Sequence, residues 1–206
     1  MAAGEMEFWQ DELKDSLLQE VWPDSFKSIV SKVSQGIPLS REDGHFLFTT
    51  PDLDTIGLLA NYAKKARFGE SVFFNVNVHI NQSNICTLAC KFCAFRRGRR
   101  AKDAYQMEID EYVEDLSKYS SHVDEVHSVG GLHPEWDINY YTELFSRVKQ
   151  EYPHIHIKAL TAVEIKHIAN LSGLTYKETL TKLRDSGLGS IPGGGAEILD
   201  DDVRSI

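Results

Sequence analysis

Apolar and polar positions along the chain follow two successive patterns. Over roughly the first seventy residues the apolar positions recur at helical spacing. Leu13, Leu17, Leu18 and Val21 lie on one such stripe, and Leu53, Ile56, Leu59, Ala60 and Ala63 form another that stops at Gly69. Thr50 followed by Pro51 offers a capping hydroxyl and a proline suited to a first turn, so the second helix is predicted to open there. From residue 72 onward short strand-like runs alternate with helical periods. The runs are 72–80, rich in β-branched and aromatic residues, then 124–129, 155–160 and the weaker 188–191. Between them lie Tyr112, Val113, Leu116 and Tyr119, then Tyr141, Leu144, Phe145 and Val148, and then Leu180 and Leu183. The last pair follows a Thr175-x-x-Glu178 capping box and precedes Gly187.

Strand starts near 124, 155 and 188 are spaced by just over thirty residues, the length of a βαβ unit with its crossover helix. The expectation is an α/β fold, a parallel sheet or barrel of about four βα units after a helical lead-in over 1–70. A closed eight-stranded barrel needs twice as many strands, so 71–206 reads as the first half of a TIM-type (β/α)8 barrel and the chain as the front portion of something longer.

Composition narrows the class. With 206 residues, 42% apolar and 26% charged, the chain is ordinary for a globular protein. No run approaches the ~18 apolar residues of a membrane span, and the first residues lack a basic segment followed by an apolar core. No membrane association is expected. Lys and Arg number 22 against 31 Asp and Glu, and the net charge of −9 repels phosphate backbones, so no nucleic-acid partner is expected either. The three cysteines lie within eight residues, an odd number unsuited to a disulfide framework, which points to reduced thiols in a cytoplasmic compartment.

Those cysteines carry the strongest chemical signal. Cys86, Cys90 and Cys93 follow the first predicted strand with C-x3-C-x2-C spacing. Three thiolates this close can ligate three corners of a cubane iron–sulfur cluster, since sulfur is the soft donor such iron prefers. No fourth cysteine exists, so one iron would take an outside ligand. A Cys3His zinc site using His79, His127 or His133 is an alternative from the same residues, and three small core residues is another.

The motif, with Phe92 before its last cysteine and its place after the first strand of a βα repeat, resembles the signature of the radical S-adenosylmethionine (SAM) enzymes. The resemblance implies a [4Fe-4S] cluster on Cys86, Cys90 and Cys93, with S-adenosyl-L-methionine chelating the fourth iron. One electron would then cleave the sulfonium to methionine and a 5′-deoxyadenosyl radical. The segments 77–81, 93–95, 129–134, 158–165 and 191–197 further resemble the aminofutalosine (aminodeoxyfutalosine) synthases of menaquinone biosynthesis, from about residue 40 onward and over the first half of those chains. Cyclic dehypoxanthine futalosine synthases and deazaflavin-cofactor synthase subunits share most of these blocks. By resemblance the substrate is a small molecule, 3-[(1-carboxyvinyl)oxy]benzoate, and the adenosyl radical adds to its enol-ether double bond. Loss of the carboxyl group as bicarbonate then gives aminodeoxyfutalosine, with a flavodoxin or ferredoxin as electron donor. A non-catalytic metal-binding remnant that keeps the cysteines is the contrasting reading.

Other residues are weighed singly. Gly130 and Gly131 end the second strand, where backbone can approach a ligand without a Cβ, and by resemblance they seat the amino group of S-adenosyl-L-methionine; a plain turn is the alternative. Gly193, Gly194 and Gly195 lack dinucleotide spacing, and a close approach to the cofactor's nucleoside is expected instead. Glu197 is a candidate ribose partner or a helix-start carboxylate. Arg96, Arg97, Arg99, Arg100 and Lys102 read as a solvated loop, or as balance for an anionic cluster or a carboxylate substrate. Thr161 and Glu164 are candidates for substrate contacts. Among the histidines His133 stands out.

Overall fold

The computed structural model describes residues 8–91, 93–194 and 198–204. The chain divides into two compact units, Met1–Phe73 and Phe74–Ile206. Among the described residues no helix is long and apolar enough to cross a membrane.

The first unit is helical: α1 (Phe8–Leu18), α2 (Lys27–Ser34), α3 (Arg41–Thr49) and α4 (Leu53–Phe68). Leu13, Leu17, Trp22, Phe26, Ile29, Val30 and Leu59 make its core. Two expectations change here. α1 ends at Leu18, so Val21 falls out of helical phase and is 97% exposed, while Trp22 folds back and donates its indole N–H to the Leu17 carbonyl at 2.9 Å. Leu18 is exposed as well. α4 is capped by Asp52, not Thr50: the Asp52 carboxylate accepts the Thr55 amide at 3.1 Å and the Thr55 hydroxyl at 2.7 Å. A charged acceptor two residues nearer the helix outcompetes the hydroxyl. Leu53 and Ala60 are then exposed, leaving Ile56, Leu59 and Ala63 on the inner face. The helix stops where expected, at Gly69 with φ of 56°.

The second unit is α/β. Strands β1 (Asn77–His79), β2 (Glu125–Ser128), β3 (His156–Ala159) and β4 (Leu188–Ser190) pair in that order, all parallel. Helices α5 (Ile109–Ser117), α6 (Ile138–Glu151), α7 (Ala162–Ser172) and α8 (Tyr176–Asp185) join and follow them, and a short α9 (Asp201–Arg204) comes last. The four predicted strands are present but shorter. Residues 72–76 do not join the sheet because β2, their neighbour, starts only at Glu125. Val76 closes the ladder by accepting the Asp124 amide, and Val72, Phe73 and Phe74 are exposed.

One face of the sheet packs on the helices. Val126, Ile157, Ala159 and Leu188 meet Tyr112 and Leu116 of α5, Tyr141, Leu144, Phe145 and Val148 of α6, Ile165 and Ile168 of α7, and Leu183 of α8. Tyr119 lies beyond the end of α5 and is exposed, as is Leu180. α7 was not expected from the pattern. Its apolar positions follow those of β3 almost without a polar break, which blurs the change of period. Thr161 nevertheless caps it, accepting the Glu164 amide, and Gly173 in the left-handed conformation ends it.

Candidate active site

Parallel strands deliver every strand-to-helix loop to the same edge of the sheet, where barrel enzymes gather ligands. At that edge the long connection from β1 to α5 carries the cysteines. It is held by its own backbone pairings: Ser83 with Gln106, and Ile85 with Arg97. The Cys86 amide donates to the Arg97 carbonyl at 3.1 Å, and the Arg97 amide donates back to Asn84 at 2.7 Å. Buried Ser83 and Asn84 hold the returning strand through their side chains, Ser83 Oγ donating to the Tyr105 carbonyl at 2.8 Å and Asn84 Nδ2 to the Asp103 carbonyl at 2.9 Å. Cys86 therefore leaves from a rigid base. Cys90 and Cys93 lie on one turn, with the Cys93 amide donating to the Cys90 carbonyl at 3.2 Å. All three thiols are free, Cys90 exposed and the other two half-buried.

The loop after β2 lies directly against this base. The Gly131 amide donates to the Ser83 carbonyl at 2.8 Å, and the Thr87 amide to the Leu132 carbonyl at 3.0 Å. A Cβ on Gly131 would sit 2.2 Å from the Ile85 oxygen and 3.0 Å from the Cys86 Cβ, and one on Gly130 would sit 2.5 Å from the Gln82 amide nitrogen. Both glycines are thus required by close packing on the segment that presents Cys86, a requirement independent of any ligand.

Beneath Gly130 lies Glu164, only 3% exposed. Its carboxyl accepts the Gly130 amide at 2.9 Å. Burial pushes its pKa up to about 7, opposed by that amide and by the Thr161 hydroxyl. The chain reaches this position through Leu160, which is buried and holds a φ of 66°, a conformation costly for a non-glycine residue and here fixed by its N–H donating a hydrogen bond to the Ser128 carbonyl at 2.9 Å. Glu164 and Thr161 are accordingly parts of the frame: one fastens the loop after β2, the other caps α7.

Gln82 is buried with its Oε1 accepting from Ser128 Oγ at 2.9 Å, while its Nε2 makes no hydrogen bond. No sequence signal marked this residue, because a lone glutamine in a polar loop reads as solvated.

His133 is a satisfied structural histidine. It is 1% exposed, its Nε2 pairs with Gln106 Oε1 at 3.0 Å, and its Nδ1 accepts the Glu135 amide at 3.3 Å. That pattern places the proton on Nε2, and burial pushes the pKa down, so the ring stays neutral. Trp136 stacks on it at 4.1 Å. In the basic run, Arg97 binds Asp103 at 2.5 Å and the carbonyls of Ala94 and Arg96, while Arg99 grips both oxygens of Glu135. These two arginines are committed to the loop's own structure and not to a ligand. Gly194 lies 3.6 Å, at its would-be Cβ, from Thr161, bringing the end of β4 to the same edge; Gly195 and Glu197 lie outside the described residues.

Among the described residues no three His, Cys, Asp or Glu side chains converge as a ready-made metal cage. The donor set nonetheless fits an iron–sulfur cluster in kind: three soft thiols outside any disulfide, carried on one loop.

The Radical SAM superfamily model matches residues 80–206. The chain is 41% identical over 180 residues to an aminodeoxyfutalosine synthase of Streptomyces coelicolor, covering 86% of this chain and 46% of that one. It is 36% identical over 189 residues to a 5-amino-6-(D-ribitylamino)uracil–L-tyrosine 4-hydroxyphenyl transferase of a Nostoc species, covering 86% and 48%. The chain thus spans about half the length of the curated relatives it matches. The X-ray structure of the FeFe-hydrogenase maturase HydG from Carboxydothermus hydrogenoformans aligns with a TM-score of 0.54 at 18% identity, covering 93% of this chain and 51% of that one. That likeness is one of fold, a partial TIM-type barrel of four parallel strands behind a helical segment.

Proposed function

The chain belongs to the radical SAM superfamily, and from that membership we propose that it acts in adenosyl transfer of the aminodeoxyfutalosine synthase type. In this reading Cys86, Cys90 and Cys93 hold a [4Fe-4S] cluster, and Gly130 and Gly131 help to seat S-adenosyl-L-methionine. The observation that carries it is the seating of the cysteine loop: Cys86 springs from a hydrogen-bonded base, and Gly131 packs on that base with no room for a Cβ.

Bound there, the cluster and S-adenosyl-L-methionine supply one-electron cleavage of the sulfonium and the adenosyl fragment to be transferred. The protein's own part is placement. Ser83 and Asn84 hold the base of the loop, and Gly130 and Gly131 let the loop after β2 pack directly on it. Glu164 fastens Gly130 from below, out of reach of water.

Similarity to the Streptomyces synthase supports a reaction of that type; the acceptor 3-[(1-carboxyvinyl)oxy]benzoate and a flavodoxin or ferredoxin reductant are what the motif resemblance implies for it. The Nostoc relative makes L-tyrosine with 5-amino-6-(D-ribitylamino)uracil the competing substrate pair. Anaerobic reconstitution followed by reduction tests the reading. About four irons per chain, a brown absorbance and consumption of S-adenosyl-L-methionine are expected, with a product carrying the adenosyl group only when the enol-ether acid is supplied. A colourless zinc protein, or turnover of tyrosine alone, overturns it.

A further inference from the structure

The helix-free face of the sheet has the wrong chemistry for a packed core. Parallel strands covered on both faces read as near-continuous apolar runs, and small barrel interiors are filled by bulky branched side chains. Here alternation sends Val78, Val126, Ile157 and Leu188 toward the helices, and the residues between them face the other way. Register sets these in two polar rows: Asn77, Glu125 and His156, then His79, His127, Lys158 and Ser190. The second row lies next to the edge of the sheet where the cysteine connection begins, since His79 is the last residue of β1.

The groups on this face are unevenly matched. His79 and His127 stack with ring centres 4.6 Å apart. Lys158 Nζ lies 3.7 Å from Glu125 Oε1, beyond hydrogen-bond distance, and that oxygen is buried with no hydrogen bond. The other Glu125 oxygen takes only the Asn75 amide at 3.5 Å. His156 is already partnered: its ring lies over Gly189, where a Cβ would come within 2.3 Å of it, and pairs with Ser190 Oγ at 2.8 Å. Asn77 and Ser190 carry no charge. His79, His127 and Lys158 are therefore three adjacent basic groups facing one carboxylate that already sits too far off to bond. Burial, with His79 and Lys158 adding to it, pushes the His127 pKa down against the opposing Glu125 carboxylate.

From this juxtaposition we propose that Lys158, His127 and His79 form an anion-binding row on the inward face of the sheet, and that its ligand is a carboxylate of the substrate. An incoming carboxylate takes a charge-assisted hydrogen bond from the Lys158 ammonium, whose flexible stem lets it leave Glu125, and a ring N–H from His127, whose Nε2 is buried with no hydrogen bond. The identification of the ligand as substrate rests on the function proposed above, whose acceptor carries two carboxylates; the anion site itself does not depend on it.

The test uses the chain without cluster or cofactor, labelled with 15N-histidine, and titrates it with isophthalate (benzene-1,3-dicarboxylate) while histidine resonances are followed by NMR. Isophthalate is expected to move the His79 and His127 signals and leave His45, His122 and His154 in place, and the neutral diamide is expected to move none. Lys158→Ala is expected to weaken binding at least tenfold and His79→Gln several-fold, while Lys166→Ala on the exposed surface of α7 leaves it unchanged. Unaltered binding in Lys158→Ala, equal effects of the diamide, or shifts spread over all histidines would overturn the proposal. Failure of the function shows separately, as absence of iron incorporation or cofactor cleavage in the wild-type chain. Where that chemistry is intact, Lys158→Ala is expected to raise the substrate KM at least tenfold.

Discussion

Glu164 accepts the Gly130 amide hydrogen at 2.9 Å from a site water hardly reaches, joining the first turn of α7 to the loop after β2. Burial lifts its pKa from 4.5 to about 7, so between those values the folded chain holds a proton that the unfolded chain has released. Stability then falls as pH rises through that window and levels off above it, by about 3 kcal/mol at roughly 1.4 kcal/mol per pKa unit. Glu164→Gln keeps an acceptor for Gly130 and cannot ionise. Its stability relative to wild type is expected to improve by that amount between pH 4 and pH 8 in urea titrations. A difference that stays constant across this range would show that Glu164 is not the buried acid.

At Gly131 the obstacle to a side chain is the backbone carbonyl of Ile85, which cannot swing aside as a side chain would. Gly131→Ala is expected to cost about 1–3 kcal/mol or more by overpacking, and to lower iron uptake on reconstitution because the base of Cys86 must shift. Gly130→Ala meets the movable end of Gln82 and should cost less. Thermal melts together with iron assays rank the two; the reverse order would contradict the packing described for this loop.

Replacing Cys86, Cys90 or Cys93 singly by Ser should abolish cluster assembly while leaving the far-ultraviolet circular dichroism and melting temperature of the metal-free chain close to wild type. None of the three thiols is buried, so none contributes much to the core. Loss of folding in the metal-free Ser variants would instead mark the cysteines as packing residues.

His133 supports the site by filling space and satisfying neighbours. Its ring is enclosed, stacked on Trp136 and hydrogen-bonded on both nitrogens. His133→Ala is expected to cost about 2–4 kcal/mol at pH 7.5, combining a cavity with orphaned partners. Because its pKa is pushed below 6.5 in the fold, the unfolded chain binds more protons as pH drops under that value, and wild type loses stability there. The penalty of the substitution should shrink on acidification; a penalty independent of pH would mean that the fold leaves the ring's pKa unshifted.

Much of the fold was legible because burial periodicity is a local property. The stripe Tyr141, Leu144, Phe145 and Val148 has to be one face of a helix, and α6 buries those four residues. The same local logic failed for α7, where strand and helix share one apolar run, and at Val21, where the chain leaves the helix before the pattern ends. The cysteines were legible for a different reason: their spacing on one loop is itself the chemistry.

What the order of residues determined by itself is therefore the set of elements, their parallel succession and the three clustered thiols, all consequences of neighbours within a few turns of chain. Only the tertiary structure decided the uses of Glu164, Gln82, Gly131 and Lys158. Each depends on a residue more than thirty positions away: Gly130 for Glu164, Ser128 for Gln82, Ile85 for Gly131 and Glu125 for Lys158. Charge, burial and close approach across parallel strands are set by register, and register exists only once the strands have paired.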